Sequence, residues 1–260
     1  VNADVAIGSM PNLPPDNKLY GHWNFESDTI IDVTGRNPGV ATWDSAPTFW
    51  SGSGAVAGRA IKMNTTEHDI RVPMSDDLKA VLASQNFTWT AWVTINGEGN
   101  WNDLITFNMN YSTGSQPATA STWRLEHSND TSTHHGYWFG TYVATGSRPS
   151  VNTTVNIPHG ETHFVVAECN KDANIMRIYI DAVEAKKDTG DLFGVMTSIS
   201  DLRFFNNTNQ TNDVLDEFRI YTGSLSQNEI DALFLNPAGN RGTTISGDQI
   251  KTGLIESNNW

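Results

Sequence analysis

Two short stretches of the sequence combine aromatic rings with amide, carboxylate and imidazole groups, which is the chemistry of a sugar-binding site. In the first, a Trp is followed by Asn and Asp; in the second, a Tyr-Trp pair follows two histidines. Rings stack on the C–H face of a sugar, and amides and carboxylates bind its hydroxyls. Packing at strand edges would explain each aromatic equally well. The candidate ligand-binding residues are Trp101, Asn102, Asp103, His127, Tyr137 and Trp138.

The sequence signals for a catalytic site are weaker than those for a sugar-binding site. Cleavage of a glycosidic bond needs two placed carboxyl groups, and Glu126 and Glu168 are scattered candidates. Cys169 ends an apolar run and is interpreted as a small buried residue. His159 and His163 have a spacing that fits zinc only loosely, because the pair crosses a predicted turn. We therefore predict no catalytic residues and no enzymatic activity.

Composition and charge exclude several classes of partner. The chain has 260 residues, with 16 Lys and Arg against 29 Asp and Glu, a net charge of −13. Nucleic acids and anionic membranes bind basic surfaces, so neither is an expected partner, and a neutral or basic glycan is favoured over a polyanion. No apolar run is long enough for membrane insertion. The first residues do not have the pattern of a signal peptide.

Short alternating segments indicate antiparallel strands. Residues 87–95 alternate between mostly apolar and mostly polar side chains, and 176–181 and 218–221 behave likewise. Such segments recur about every 10–15 residues with turn signals between them, which favours a sandwich of two sheets. The predicted domain covers residues 18–236, between an N-terminal arm or linker at 1–17 and an extended tail at 237–260.

Two segments carry helical signals. Ser75 follows a proline-containing stretch and precedes a short helical pattern. The stronger signal begins at Ser226, where Ser226 and Glu229 have the spacing of a capping box. Ile230, Leu233 and Phe234 then form one apolar stripe, which predicts a short C-terminal helix.

The strand motifs resemble a known family. Residues 87–93 (Phe-Thr-Trp-Thr-Ala-Trp-Val), 177–181 (Arg-Ile-Tyr-Ile-Asp) and 216–221 (Asp-Glu-Phe-Arg-Ile-Tyr) occur in the order found in the laminin-G-like, concanavalin-A-like lectin/glucanase superfamily. Ala182 stands where that family usually has Gly, so a less tight turn is expected there. The resemblance implies an all-β jelly-roll sandwich of two antiparallel sheets, one face concave, with one short C-terminal helix. The Glu-x-Asp-x-x-Glu string of its glucanases and the Gln-Ile-His strand of alginate lyases are absent.

The same resemblance implies a structural calcium ion between the acidic turn after the first strand and the Asp of the last one. The corresponding residues are Glu26, Asp28, Asp32 and Asp216. Hard cations bind converging carboxylate and carbonyl oxygens, and an uncompensated acidic cluster is costly. Alternatively, Asp32 caps a turn and Asp216 binds backbone amides.

The C-terminal stretch 245–260 resembles segments of phage tail and host-specificity proteins. Its apolar residues Ile245, Ile250, Ile255 and Trp260 would need a cover, which predicts a homotrimer. The chain is also expected to be a piece of something longer or a processed product.

These observations together predict a non-enzymatic carbohydrate- or receptor-binding adhesion module of a phage tail or fibre, in a virion or extracellular setting. Its expected partners are a cell-surface or polymeric glycan and other tail proteins. One alternative is a structural decoration domain of a virion protein that binds no sugar. Another is the binding module of a secreted polysaccharide-degrading enzyme.

Overall fold

The structure is a computed structural model that describes residues 12–63, 70–96, 102–113, 116–128, 134–143, 150–153, 155–189, 193, 195–205 and 212–239. Within these ranges the chain forms sixteen strands and two helices. In chain order they are β1 Leu19–Trp23, β2 Thr42–Trp43, β3 Thr48–Trp50, β4 Ala60–Lys62, β5 Ile70–Val72, α1 Asp76–Ser84, β6 Asn86–Thr94, β7 Asn102–Thr113, β8 Gln116–Ser128, β9 His134–Val143, β10 Ser150–Asn152, β11 Ile157–Pro158, β12 Thr162–Asn170, β13 Ile175–Ile180, β14 Val183–Thr189, β15 Val195–Phe204, β16 Val214–Thr222 and α2 Gln227–Leu235.

The strands form two antiparallel sheets. The first sheet has the order β14-β13-β12-β6-β16-β4-β3, with β1 also paired to β16. The second sheet has the order β10-β9-β8-β7-β15-β5-β2, with β11 paired to β9. The predicted all-β jelly-roll sandwich is therefore confirmed.

The core lies between the sheets and is built from the apolar residues of each alternating strand. Trp89 on β6 is 1% exposed, and its ring lies 4.8 Å from that of Phe107 on β7 and 5.3 Å from that of Phe139 on β9. Trp23 is equally buried and stacks on Phe218 at 5.6 Å. The prediction that Trp23 and Trp89 are core residues is confirmed.

Helix α1 closes the sandwich at its side. The Ser75 hydroxyl accepts a hydrogen bond from the Leu78 amide, which satisfies one of the free donors of the first turn. Leu78, Val81 and Leu82 are buried in the main core, and the helix lies against β15 and β6. Both helical signals in the sequence therefore correspond to helices. In the described part of the chain, neither helix is long and apolar enough to cross a membrane.

Helix α2 covers the outer face of the first sheet. Its capping box is present as predicted, with Ser226 accepting from the Glu229 amide and Glu229 accepting from the Ser226 amide. The ring of Phe234 stacks on Trp92 of β6 at 5.6 Å with an interplanar angle of 14°. Leu233 and Ile230 are each 1% exposed in the same cluster. An amphipathic helix thus buries an apolar sheet face that would otherwise contact water.

The turn between β13 and β14 differs from expectation. Only Asp181 and Ala182 separate the two strands, with φ of 51° and 65°. Positive φ at both central residues is the geometry of a tight type I′ hairpin, so the expectation of a looser turn was wrong. Asp181 fixes this turn: its carboxylate accepts from the Phe164 amide at 2.9 Å and its other oxygen lies 2.7 Å from His163 Nδ1.

Strand β14 is the last strand of the first sheet in the described part of the chain. Its side chains are mostly exposed, including those of Glu184, Lys186 and Lys187. One edge of the sandwich therefore carries charge.

Candidate functional site

A row of residues crosses the outer face of the second sheet. Arg71 on β5 pairs with Arg203 on β15, which pairs with Thr106 on β7; Thr106 pairs with Arg124 on β8, and Arg124 with Gly140 on β9. Directly paired residues point to the same side of a sheet. Their neighbours along each strand lie in the core, so this row faces outward. We call these five residues the arginine row.

Each guanidinium of the arginine row has a carboxylate partner. Arg124 Nη1 donates to Glu126 on its own strand, and Arg203 Nε donates to Asp201 Oδ2 at 2.7 Å. These two pairs are largely buried. The third pair, Arg71 with Asp44 at 3.7 Å, is exposed. The pairs are Arg124–Glu126, Arg203–Asp201 and Arg71–Asp44.

Thr106 lies between the two half-buried arginines of the row and is fully buried. Its hydroxyl makes no hydrogen bond with the described residues. A buried hydroxyl without a partner is uncommon because it loses its hydration without compensation. It is therefore a buried polar group that lies beneath the two arginine side chains rather than at the surface.

Trp138 extends this surface along β9. It pairs with Glu126 on β8 and Asn152 on β10, and it is 8% exposed. Tyr137, its neighbour, points the other way and is fully buried in the core. Burial also raises the pKa of the Tyr137 phenol above its ordinary value. Tyr137 therefore presents no surface to a ligand, and its expected stacking role is wrong because adjacent residues of a strand face opposite sides.

The backbone register brings most of the other predicted positions to the same strands. Asn102 pairs with His127, Asp103 with Glu126, and His127 with Tyr137. Trp101 lies outside the described residues. The ligand contacts of this set remain a prediction.

Sequence reasoning missed the arginine row. Each arginine does carry a local signal, since Arg71 and Arg203 stand between two apolar strand residues and Arg124 precedes Leu125. That pattern predicts an outward arginine. The pairing of strands distant in the sequence, which aligns the three, is not readable from such local patterns.

The alternation of cations and carboxylates determines what this surface can bind. Guanidinium groups only donate and carboxylates only accept hydrogen bonds, so a sugar hydroxyl, which does both, can bind between them. Each of these three pairs is neutral overall. The surface therefore suits a hydroxyl-rich ligand better than a densely charged one.

The predicted calcium residues are held by protein donors. The Asp32 carboxylate accepts from the His22 amide at 2.9 Å, from the amide and hydroxyl of Thr34 at 3.0 and 2.7 Å, and from the amide and side chain of Asn37 at 2.9 and 2.7 Å. It thus acts as the cap of its turn. These donors compensate its buried charge without a cation.

Asp216 is also bound by backbone amides. Its Oδ2 accepts from Val56 at 2.8 Å and Ala57 at 3.2 Å, and its Oδ1 accepts from Glu217 at 2.8 Å. Complete burial nevertheless raises the pKa of Asp216 to about 7. The negative charge of the neighbouring Glu217 adds to this shift.

Glu26 and Asp28 lie on the exposed turn and bind Arg59. Glu26 Oε1 accepts from the Arg59 amide at 2.8 Å, and Asp28 accepts from the Arg59 guanidinium at 2.8 Å. Among the described residues no group of three or more acidic, His or Cys side chains could hold a metal ion. The four carboxylates therefore do not fit one calcium site in this arrangement, and a structural calcium ion stays a prediction.

The catalytic candidates are far apart in the fold. Glu126 lies on the outer face of the second sheet, whereas Glu168 on β12 pairs with Thr88 and Arg177 on the outer face of the first sheet. Packed sheets are about 10 Å apart, so outward carboxyls on opposite sides exceed the separations of about 5–9.5 Å that glycosidases use. These two residues cannot act on the same glycosidic bond.

Cys169 and His163, the other reactive side chains considered above, are buried or engaged. Cys169 is fully buried, and burial raises the pKa of its thiol well above the ordinary value. That favours the unreactive thiol over the thiolate. His163 lies 2.7 Å from Asp181 and 3.5 Å from Glu161, so it is held by carboxylates rather than set beside His159 as a zinc ligand.

The sequence match to a protein family agrees with the fold. The sequence matches the family Laminin_G_3, described as the concanavalin A-like lectin/glucanases superfamily, over residues 65–231. The chain therefore belongs to this family. No curated protein sequence matches the chain.

Solved structures share the fold at low sequence identity. The binding domain of Paraclostridial Mosquitocidal Protein 1 aligns with a TM-score of 0.62 and 17% identity, covering 84% of this chain and 52% of that one. Domain 4 of AbnA, an extracellular arabinanase from Geobacillus stearothermophilus solved with arabinotriose, aligns with a TM-score of 0.59 and 18% identity. The alignment covers 83% of this chain and 98% of that domain. The binding domain of Botulinum Neurotoxin DC, solved with SialylT, aligns with a TM-score of 0.62 and 14% identity. The alignment covers 85% of this chain and 51% of that one. The chain thus spans about half of each toxin binding domain and nearly all of the arabinanase domain.

Proposed function

We propose that this protein is a non-catalytic carbohydrate-binding module and that its ligand binds across the arginine row beside Trp138. The observation that carries this proposal is the aligned set of guanidinium–carboxylate pairs on an outward sheet face. Family membership and the glycan-bound structures of similar fold support it.

The surface chemistry favours a neutral glycan. Arg124 and Arg203 each have an acidic partner, so a polyanion would gain little from them while being repelled by the net charge of −13. A shallow site of this kind should bind with Kd of about 10⁻³–10⁻⁵ M, because ordering a flexible sugar offsets much of the contact energy.

The test compares two arginines that have similar surroundings on opposite faces. Arg203→Gln removes a guanidinium of the arginine row whose side chain is 21% exposed. Arg177→Gln removes one from the first sheet that is 24% exposed and lies 3.4 Å from Glu168. We expect Arg203→Gln to weaken binding on a glycan array at least tenfold and Arg177→Gln to leave it unchanged. Equal loss in both variants, or loss in neither, would show that the ligand does not bind here.

We further propose that the module recognises host surface glycans from a phage tail or fibre. This proposal rests on the resemblance of residues 245–260 to phage tail segments that the sequence analysis describes. These residues lie outside the described part of the chain. Three-fold association would cover their apolar side chains and would add avidity to weak single sites. Light scattering of the 260-residue chain should then give three times the mass of 28.6 kDa, and a monomer would contradict the trimer.

A second candidate is the binding module of a secreted polysaccharide-degrading enzyme. The arabinanase domain favours it, because this chain covers 98% of that domain. The flanking coding sequence separates the two settings: tail repeats would support the virion, and a hydrolase or lyase domain would support secretion. A decoration role without sugar binding would appear as a glycan array with no signal for the unaltered protein.

A further inference from the structure

A polar cavity lies on the first sheet, beyond the part that α2 covers. It has a volume of about 340 Å³ and is lined by Trp50, Ser53, Lys62, Thr94, Asn96, Asn212 and Val214. Ligand pockets begin at about 300 Å³, so it is large enough for one sugar unit. It is distinct from the arginine row, which lies on the other sheet.

Strand register builds the floor of this cavity. Lys62 on β4 pairs with Val214 on β16, and Val214 pairs with Thr94 on β6. All three therefore lie on one face of the first sheet. The loop after β3 forms a wall, with Gly54 (φ +96°) so close that an added Cβ would lie 2.6 Å from Thr94 Oγ1. The cavity is thus shaped by backbone rather than by flexible side chains alone.

Among the described residues that line the cavity, Lys62 is the only charged one. Its Nζ lies 4.3 Å from the centre of the Trp50 ring, a cation–π contact that holds the ammonium group in place. Among the described residues it forms no ion pair with a carboxylate. In a protein with 16 cationic and 29 acidic side chains, an ammonium group held beside a cavity without a carboxylate partner suits an anionic ligand group.

The other lining groups suit hydroxyls. Asn96 Nδ2 donates to the Asn212 carbonyl at 2.7 Å, which fixes the amide while its oxygen can still accept. The Trp50 indole donates to the Ser53 carbonyl at 3.0 Å, so the ring is fixed as well. The Asn96 amide oxygen and the Ser53 hydroxyl can bind sugar hydroxyls, whereas the Trp50 ring holds Lys62 in place.

We propose that this cavity is a second binding site, which takes a single sugar bearing one carboxylate, with the carboxylate on Lys62. A single charge in a small site is compatible with the negative charge of the protein, which disfavours polyanions over long range. This site would bind an acidic terminal or branch sugar, while the proposed ligand of the arginine row is neutral. It does not depend on the arginine row, and its test is separate.

The experiment follows the Trp50 indole N–H signal by NMR, assigned from its loss in Trp50→Phe. D-Glucuronate and D-glucose are titrated in parallel, because they differ only by a carboxylate in place of a hydroxymethyl group; sodium acetate and inorganic phosphate are the other arms. We expect a saturable shift with glucuronate, at least tenfold weaker effects with the other three, and at least tenfold weaker glucuronate binding in Lys62→Gln. Lys79→Gln, which alters an exposed lysine paired with Asp76 on α1, should bind as the unaltered protein does.

Three outcomes would overturn the proposal: no shift with glucuronate, an unchanged shift in Lys62→Gln, or an equal shift with acetate or phosphate. The last would show a general anion site rather than a sugar site. Arg203→Gln should leave the Trp50 shift unchanged. Loss of glycan-array binding in that variant, with the shift retained, would therefore separate the two sites.

Discussion

The outer faces of the two sheets have the same position in the sandwich and opposite chemistry. Each carries an outward tryptophan that is nearly buried, Trp92 at 9% and Trp138 at 8% exposure. Trp92 stacks on Phe234 of α2 within an apolar cluster, whereas Trp138 pairs with Glu126 beside the arginine row. One face is closed by the chain's own helix, and the other carries charged pairs suited to a ligand.

The largest expected effect comes from breaking the closed face. Leu233→Ala should lower the free energy of unfolding by about 2–4 kcal/mol, because Leu233 is 1% exposed and the truncation leaves a cavity. Leu235→Ala is the control on the same helix, since Leu235 is 69% exposed, and it should change stability by less than about 0.5 kcal/mol. Chemical denaturation measures both. Similar values for the two variants would mean that α2 does not close this face.

The second prediction concerns pH and Asp216. Its pKa is about 7 in the folded protein and near 4 in an unfolded chain. Between these values the folded state keeps a proton that the unfolded chain has released, so this group's contribution to stability falls as pH rises. The slope is at most about 1.4 kcal/mol per pH unit for one proton.

The difference in stability between the unaltered protein and Asp216→Asn isolates this contribution. It should fall as pH rises from about 4 to about 7 and stay constant above that. The difference between the two proteins is needed because His22 titrates in the same range with the opposite effect. Burial lowers the pKa of His22 to about 3, so its contribution to stability rises as pH increases from about 3 to 6.5. A difference that does not vary with pH would contradict the raised pKa.

A smaller effect should follow from weakening the start of α2. Ser226→Ala removes the side chain that accepts from the Glu229 amide, which should cost about 1 kcal/mol. Asn228, exposed on the same turn, provides the control, because Asn228→Ala removes no cap. If the two variants unfold at the same denaturant concentration, the capping box is not what fixes this helix.

The smallest effect is expected from metal removal. Asp32 and Asp216 already accept several protein hydrogen bonds each, so excess chelator should leave the melting temperature unchanged within about 1 °C. A clear decrease would instead reveal a cation that contributes to stability. Calcium added back after the chelator would then have to restore the original value.

The sequence predicted the closed face better than the face that carries the arginine row, for a physical reason. The capping box of Ser226 and Glu229 and the stripe of Ile230 and Leu233 are local patterns, and each has the structure that its spacing predicts. The alternation around Trp89 likewise predicted a buried strand correctly.

The candidate site depends on information that is not local. Arg71, Arg203 and Arg124 are aligned in one row because strands β5, β15, β7 and β8 pair in one register. No local pattern encodes that register. One error was avoidable: Tyr137 and Trp138 are consecutive on one strand, so they could not both face a ligand. The tail at 245–260 and Trp101 lie outside the described residues, so those predictions remain open.

The charged edge strand β14 limits how copies of this protein can associate. An unprotected edge strand presents free amides and carbonyls to another sheet and promotes aggregation. Lys186 and Lys187 on this exposed strand disfavour the register that places the lysines of two identical edges opposite each other, because like charges would be brought together. Two copies can therefore lie side by side without joining their sheets in that register, and the outer face of the second sheet then stays uncovered in each copy.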